Sequence, residues 1–266
     1  MMDFLNFLYG APIWQMACVI SSISVGGTVS AVLMVDRVWK KDRRRSHNGI
    51  AGFFIAVVGV IYAILISSMA ITVMTRKDRA ETLVFEEADK VARLAREVMT
   101  LPEPNRAAIR AHLATDVQVV IEEEWPQMRR AERPVAGTRV LHRLWLEAAA
   151  LPLKDLADVL TVKDFRKHID DLYDLHRGRS DLAINGVDRI VWAVVLLGSI
   201  SMIAFAVLFG VENFTAHLFM SCLLSFSIAQ AMTMIVAIDW PYYGYDSISE
   251  DLFLELRSGL REGSAP

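Results

Sequence analysis

Residues able to do chemistry gather in two stretches. The first is Glu122-Glu123-Glu124, carboxylates of the kind that acid–base catalysis uses in pairs. Successive helix residues point about 100° apart, so at most two of the three share a site, and a solvated helix face is the simpler expectation. The second runs from His168 through Asp170, Asp171, Tyr173 and Asp174 to His176 and has metal-ligand residue types. His168 and Asp171 can share a helix face, but His176 lies two turns on, which fits a metal site poorly. HExxH, a phosphate loop, a glycine-rich dinucleotide turn and GxSxG are absent from the sequence. The expectation is a protein that is not an enzyme, with no catalytic, cofactor-binding or metal-ligating residues.

The elements around these stretches are set by four apolar runs. Of 266 residues, 54% are apolar and 22% charged, and the two classes are segregated along the chain. The runs are about Ile13–Val35, Ile50–Met74, Ile190–Val211 and Phe214–Ile238, and none contains Asp, Glu, Lys or Arg. Each is long enough to cross a bilayer, which takes roughly 20 residues. Trp14, Trp39, Trp192, Trp240, Tyr242 and Tyr243 fall at the run ends, where an aromatic belt sits. Met1–Pro12 has neither Lys nor Arg, so the first run is read as a retained span and not a cleaved signal. The tail itself reads equally as an interfacial piece or as disordered.

The predicted fold class is therefore all-α: a polytopic membrane protein with four transmembrane helices in two hairpins. Residues 1–74 hold the first hairpin, 75–189 a helical extramembrane insert, 190–238 the second hairpin and 239–266 a tail with one or two amphipathic turns. Within the insert, Leu83/Val84, Ala88, Val91, Leu94/Ala95 and Val98 recur at helical spacing, and the pattern stops at Leu101-Pro102-Glu103-Pro104. A second helix follows, which Pro126 should end or kink. A third covers about Arg139–Ala150, a short one Lys154–Leu160, and a last one Val162–His176, stopping near Gly178. The first and last of these nearly abut spans two and three, so the insert reads as helices that prolong the spans.

The spans offer few polar groups. Ser22, Gly26 and Ser30 form a small-residue stripe of the kind that lets helices approach closely in lipid. Gly52, Ala56, Gly59, Ala63 and Ser67 do the same on the second span, where the Tyr62 hydroxyl wants a partner. Gln230 is the one strongly polar side chain deep in a span; it must face other helices or water. Ser24, Thr28, Ser225, Gln230 and Thr233 are the candidate pore-lining residues. Cys18 and Cys222 lie in apolar runs and say nothing of disulfides. The net charge of −3 gives no reason to expect a nucleic-acid partner.

Topology follows from loop charge. Asp36–His47 carries six basic and two acidic residues, which puts this short loop in the cytoplasm. The insert and both termini are then extracytoplasmic. Arg76, Lys77, Arg79, Arg177, Arg179 and Arg189 vote the other way, but residues of long domains count for less.

Several of these residues carry a family resemblance. Ala80-Glu81, Glu87-Ala88 and Leu94 follow the second span; then come Leu101-Pro102-Glu103 and Glu123-Glu124-Trp125-Pro126. Arg177-Gly178-Arg179 precedes the third span, Phe209-Gly210 ends it, and His217 and Met220 open the fourth. Asp239-x-Pro241-x-x-Gly244 closes the set. In order and spacing this resembles the bestrophin-like family (domain of unknown function 4239) over about residues 45–256. Tyr242 stands where members usually have Phe. The motif residues are Glu124, Trp125, Pro126, Asp239, Pro241 and Gly244. The resemblance implies an oligomeric channel, anion-conducting by analogy with bestrophins, whose termini and large domain lie in the cytosol. Two functions stand side by side: a homo-oligomeric ion channel in the cell membrane, with lipid and inorganic ions as partners, or a membrane-anchored sensor or scaffold whose insert binds a partner.

Overall fold

In the computed structural model the described residues are 10–39, 48–151 and 156–262. The tail 1–9, the basic positions 40–47 and the start of the helix expected at Lys154 lie outside them. The described chain is helical: α1 (Ile13–Val38), α2 (Asn48–Val98), α3 (Asn105–Val119), a π turn (Val120–Glu124), α4 (Trp125–Met128), α5 (Ala136–Ala149), α6 (Leu156–Ile184), α7 (Arg189–Leu208), α8 (Phe214–Ile238) and α9 (Asp251–Glu262). Among the described residues four helices are long and apolar enough to cross a membrane. The chain divides into a membrane unit, Met1–Thr75 with Val187–Asp239, and an insert unit, Arg76–Gly186 with Trp240–Pro266.

α2 is one unbroken helix of 51 residues, about 75 Å at 1.5 Å per residue. It carries the second span and the first helix of the insert without a stop, and neither Gly nor Pro interrupts the run from Met74 to Val98. α6 and α7, by contrast, are separated at Asn185–Asp188, and the Asp188 carboxylate caps α7 by accepting from the Ile190 N–H at 2.7 Å. Asn213 caps α8 in the same way, accepting from Thr215 and Ala216.

In the membrane unit, α1 packs along α8, and Tyr62, Met69 and Val73 of α2 form a core with Met202 of α7 and Met232 and Ile235 of α8. Gly198 admits the Tyr62 ring: a Cβ there would lie 2.7 Å from Cδ2. The Ser22/Gly26/Ser30 stripe does not provide the close packing within the chain that its spacing suggests. All three are exposed, and nothing lies within 4 Å of a Cβ built at Gly26. The neighbouring stripe of Ser21, Ser24 and Thr28 faces α8 instead, because those residues find hydrogen-bonding partners there or bury a hydroxyl. On the second span, Gly59 meets Met202, while Ala56, Ala63 and Ser67 are exposed.

The insert unit has one apolar core built from α2, α3, α5, α6 and α9, with Leu94, Leu113, Leu144, Phe165, Leu172 and Phe253 among its buried members. Three expectations fail here, at Gly178, at Tyr242 and in the tail. Pro126, expected to end or kink its helix, does not end it: the preceding residues widen into a π turn, with the Trp125 N–H reaching the Val120 carbonyl. A proline clashes with the carbonyl four residues back in α geometry, and the wider turn carries the chain on to Met128. Gly178 does not stop α6, which runs on to Ile184; it lets the Leu83 side chain pack close, 3.3 Å from where a Cβ would be. Tyr242 is no belt residue. It is 1% exposed and belongs to the insert core, as does α9, a 12-residue helix where only a turn or two was expected.

Candidate functional site

Two sets of polar side chains are candidates for function, one in each unit. In the membrane unit the set is neutral. Ser24 and Ser225 meet Oγ to Oγ at 2.7 Å across α1 and α8. The Gln230 Nε2 donates to the Ser21 Oγ at 2.8 Å. Thr28 and Thr233 are buried and return their hydroxyl protons to the helix carbonyls of Ser24 and Ala229. Of the five candidate pore residues, Ser24 and Ser225 meet across α1 and α8 and Gln230 reaches α1 at Ser21; Ser24 and Gln230 are partly accessible and the other three are buried. The Tyr62 hydroxyl sits 2.8 Å from the Ser199 Oγ. Ser199 gives its own proton to the Val195 carbonyl, so Tyr62 is the donor. Asp239 ends α8 and ties it to α7: its carboxylate accepts from the Val187 N–H at 2.8 Å and the Trp192 Nε1 at 3.3 Å. Pro241 follows where a helix can no longer continue, and Gly244 supplies a φ of 116° in the next turn, a conformation that only glycine takes at little cost.

The insert set is charged and buried. Arg179 on α6 is fully enclosed. Its Nε donates to Glu87 Oε2 at 2.5 Å, its Nη2 to Glu124 Oε2 at 2.8 Å, and its Nη1 points at the Met128 sulfur at 3.2 Å. The guanidinium carbon lies 5.8 Å from the ring centroids of both Trp125 and Phe253, close enough for cation–π attraction. Tyr242 packs edge-on against Trp125 and donates to the Ala80 carbonyl at 3.3 Å. His176 Nδ1 stands 3.3 Å from Glu87, and its Nε2 3.6 Å from Glu124. The Gly137 N–H donates to Glu124 Oε1 at 2.8 Å, and a Cβ on Gly137 would strike the His176 ring and that same carboxylate. The backbone must approach this closely, so the position requires glycine.

Electrostatics follow from this geometry. Burial opposes charge on Glu87, but the Arg179 charge and the hydrogen bonds of His176 and Arg179 outweigh it and hold the carboxyl at about 2. Burial also opposes charge on His176, yet the hydrogen bond and the charge of Glu87 raise its pKa overall. Burial likewise disfavours a charged Arg179, and the Glu87 and Glu124 carboxylates reverse this and raise it.

Glu124 is therefore not part of a solvated face. Glu122 and Glu123 are exposed, but Glu124 is 0% exposed and ion-paired. The histidines of the second stretch are separated: His168 pairs with Glu97 at 2.9 Å, Asp171 with Lys90 at 3.1 Å, and His176 points into the cluster. Among the described residues no group of three or more His, Cys, Asp or Glu side chains could hold a metal ion. The buried set as a whole was missed in the sequence, although a signal exists. Glu87 stands on the stripe Val84-Glu87-Ala88-Val91, and Asp116 on Leu113-Asp116-Val117-Val120. A charge at an i, i+3, i+4, i+7 apolar position must be buried or break the stripe.

Comparison with known proteins places this architecture. The chain resembles a bacterial bestrophin homologue from Klebsiella pneumoniae at 13% identity and a TM-score of 0.68, over 91% of this chain and 97% of that one. A variant of that homologue with one tryptophan-to-alanine change matches at 14% identity and a TM-score of 0.71, over 97% of this chain and 100% of the other. A membrane protein carrying a proline-to-alanine change matches at 12% identity and 0.68, covering 94% and 99%. At such identities the likeness is one of fold. None of the curated proteins matches the sequence. The model of the Bestrophin-like domain matches residues 22–253, and the chain belongs to the Bestrophin-like family.

Proposed function

We propose that the protein is the subunit of a homo-oligomeric ion channel, conducting anions by analogy with bestrophins. The observation that carries this reading is the fold shared with a bacterial bestrophin homologue over nearly the whole of both chains. The polar groups of the membrane unit support an oligomer. Ser24 with Ser225, Gln230 with Ser21 and Tyr62 with Ser199 satisfy one another inside a single chain, so the conducting path runs between copies. The faces left bare by one chain, including the small Ser22/Gly26/Ser30 stripe and the Ser67, Ser68 and Thr72 hydroxyl surface of the second span, are suited to helix contact in lipid. Of the sequence candidates, Gln230 and Ser24 keep partial access and are the two we assign to the path; Thr28, Ser225 and Thr233 shape the wall behind them.

Purified protein in planar bilayers tests the reading. Unitary currents are expected, with a conductance altered by Gln230→Leu. A folded, oligomeric preparation that stays silent across voltage, pH and Ca²⁺ overturns it and leaves the sensor or scaffold alternative. The side of the membrane is a separate matter, and we take it from loop charge: insert and termini outside. A membrane-impermeant thiol reagent should label Glu123→Cys, in a background lacking Cys18 and Cys222, in intact cells. Labelling only after permeabilisation overturns this and restores the bestrophin-like cytosolic arrangement.

A further inference from the structure

Five ionisable side chains share the centre of the insert: Glu87 from α2, Asp116 from α3, Glu124 from the π turn, and His176 and Arg179 from α6. Each is 0–2% exposed. Their charges do not balance. Three carboxyls face one guanidinium, and a protonated His176 still leaves one negative charge in excess. An apolar core does not accept a net charge readily, so one carboxyl must carry a proton for the cluster to be neutral.

The geometry identifies which one. Glu87 and Glu124 are each held by Arg179, and Glu124 also by the Gly137 amide. Neither oxygen of Asp116 has a hydrogen-bond partner. A carboxylate without a donor is the costliest ion in the group, whereas a neutral carboxyl at the same place loses far less. Among the described residues no other charged side chain bonds to it. α5, packed on α3, presents Arg139, His142, Arg143 and Glu147, all exposed. α9 presents Glu255 and Arg261, also exposed, and Arg257, which turns to Glu122 at 3.7 Å. On α3 itself, Arg110 is engaged by the Leu260 carbonyl, and His112, one turn before Asp116 and half-buried, makes no hydrogen bond to it.

We propose that Asp116 forms a buried proton-binding site, whose occupancy sets whether the five-residue cluster is neutral or carries one net negative charge. Burial and the Glu87 carboxylate together push the Asp116 carboxyl up to about 7, so the site changes state in the physiological range. Loss of the proton leaves an unpaired carboxylate beside Glu87 and Glu124. The segment that must yield is α3 with its π turn, and a π turn is a common place for such adjustment. Glu87 stands on the same unbroken helix as the second span. The inference does not depend on whether the protein conducts.

Infrared spectroscopy of the full chain in lipid nanodiscs tests it. At about pH 6 ordinary carboxyls are ionised. The wild type should still show a protonated-carboxyl stretch, which disappears with a midpoint near 7; the band should be missing from Asp116→Asn. A wild-type spectrum without the band at about pH 6, or a band that Asp116→Asn retains, overturns the proposal. Should Asp116→Asn not fold, Asp116→Glu keeps the carboxyl but moves it by one methylene. Its midpoint must then differ from that of the wild type, and an unmoved midpoint also overturns the assignment.

Discussion

The membrane unit and the insert handle polarity in opposite ways. Within the spans of the membrane unit the interhelical side-chain hydrogen bonds described above join neutral groups, hydroxyl to hydroxyl or amide to hydroxyl, and the one carboxylate, Asp239, stands at the end of α8. In the insert the interior contains full charges: one guanidinium, two ion-paired carboxylates, an imidazole and a lone carboxyl, enclosed by Trp125, Tyr242 and Phe253. The solvents explain the contrast. A helix in lipid gains little from excluding water and is held by close contact and modest hydrogen bonds, so small neutral residues suffice. The insert builds a water-excluding core, which can pay for burying charges whose mutual attraction then holds α2, the π turn and α6 in one register.

Breaking the guanidinium should separate the two regions most sharply. Arg179→Met leaves Glu87 and Glu124 buried with only His176 to face them and is expected to cost about 3–5 kcal/mol. In denaturant titration the insert should unfold first while the membrane unit persists. Combining it with Glu87→Gln and Glu124→Gln should recover most of the loss; if it does not, the aromatic packing of Arg179 matters more than its charge.

The pH dependence of stability comes next, and its sign differs between two acids of the same cluster. Glu87 is held at about 2 against an ordinary 4.5, so its contribution is present above about 4.5 and is lost as pH falls toward 2. Asp116 is raised from 3.8 to about 7, so the folded state binds this proton more tightly than the unfolded one. Its contribution is full below about 3.8 and is lost as pH rises to about 7. His176, also raised, loses its contribution in the same direction, above its ordinary 6.5. Asp116→Asn should therefore gain on the wild type by about 1.4 kcal/mol per pH unit across that window and no further above it. A constant difference between the two proteins in urea titrations at several pH values would refute this.

Two glycines compare the regions directly. Gly137→Ala and Gly198→Ala each place a methyl 2.7 Å from a neighbouring ring carbon, of His176 in one case and Tyr62 in the other. Both should cost about 1–3 kcal/mol. Gly137→Ala should be the larger effect, because His176 is held by ionic partners while the Tyr62 ring has only one hydrogen bond. Thermal unfolding of the two variants decides the order. The smallest effect belongs to the membrane pair. A double-mutant cycle on Ser24→Ala and Ser225→Ala should give a coupling of about 0.6 kcal/mol, and a value several times larger would place a stronger interaction between α1 and α8.

The sequence by itself determined the four apolar spans, the all-α class and the family. These rest on hydropathy, helical period and ordered motifs, all of which are local or set by spacing along the chain. It also placed Tyr62 and Gln230 as groups in need of partners, since an unmet polar group in hydrocarbon is costly wherever the chain goes. Only the tertiary structure decided who those partners are: Ser199 and Ser21, 137 and 209 residues away in the chain. It decided that Ser21, Ser24 and Thr28, and not the adjacent Ser22/Gly26/Ser30 stripe, face α8. It turned Glu124 from one of three surface acids into a buried ion, because a π turn before Pro126 rotates that residue inward. And it assembled Glu87, Asp116, Glu124, His176 and Arg179 from segments up to 92 residues apart. A charge on an apolar stripe is tolerated when another element brings a counter-charge, as α6 does for Glu87, or when a proton neutralises it, as we propose for Asp116, and packing settles which.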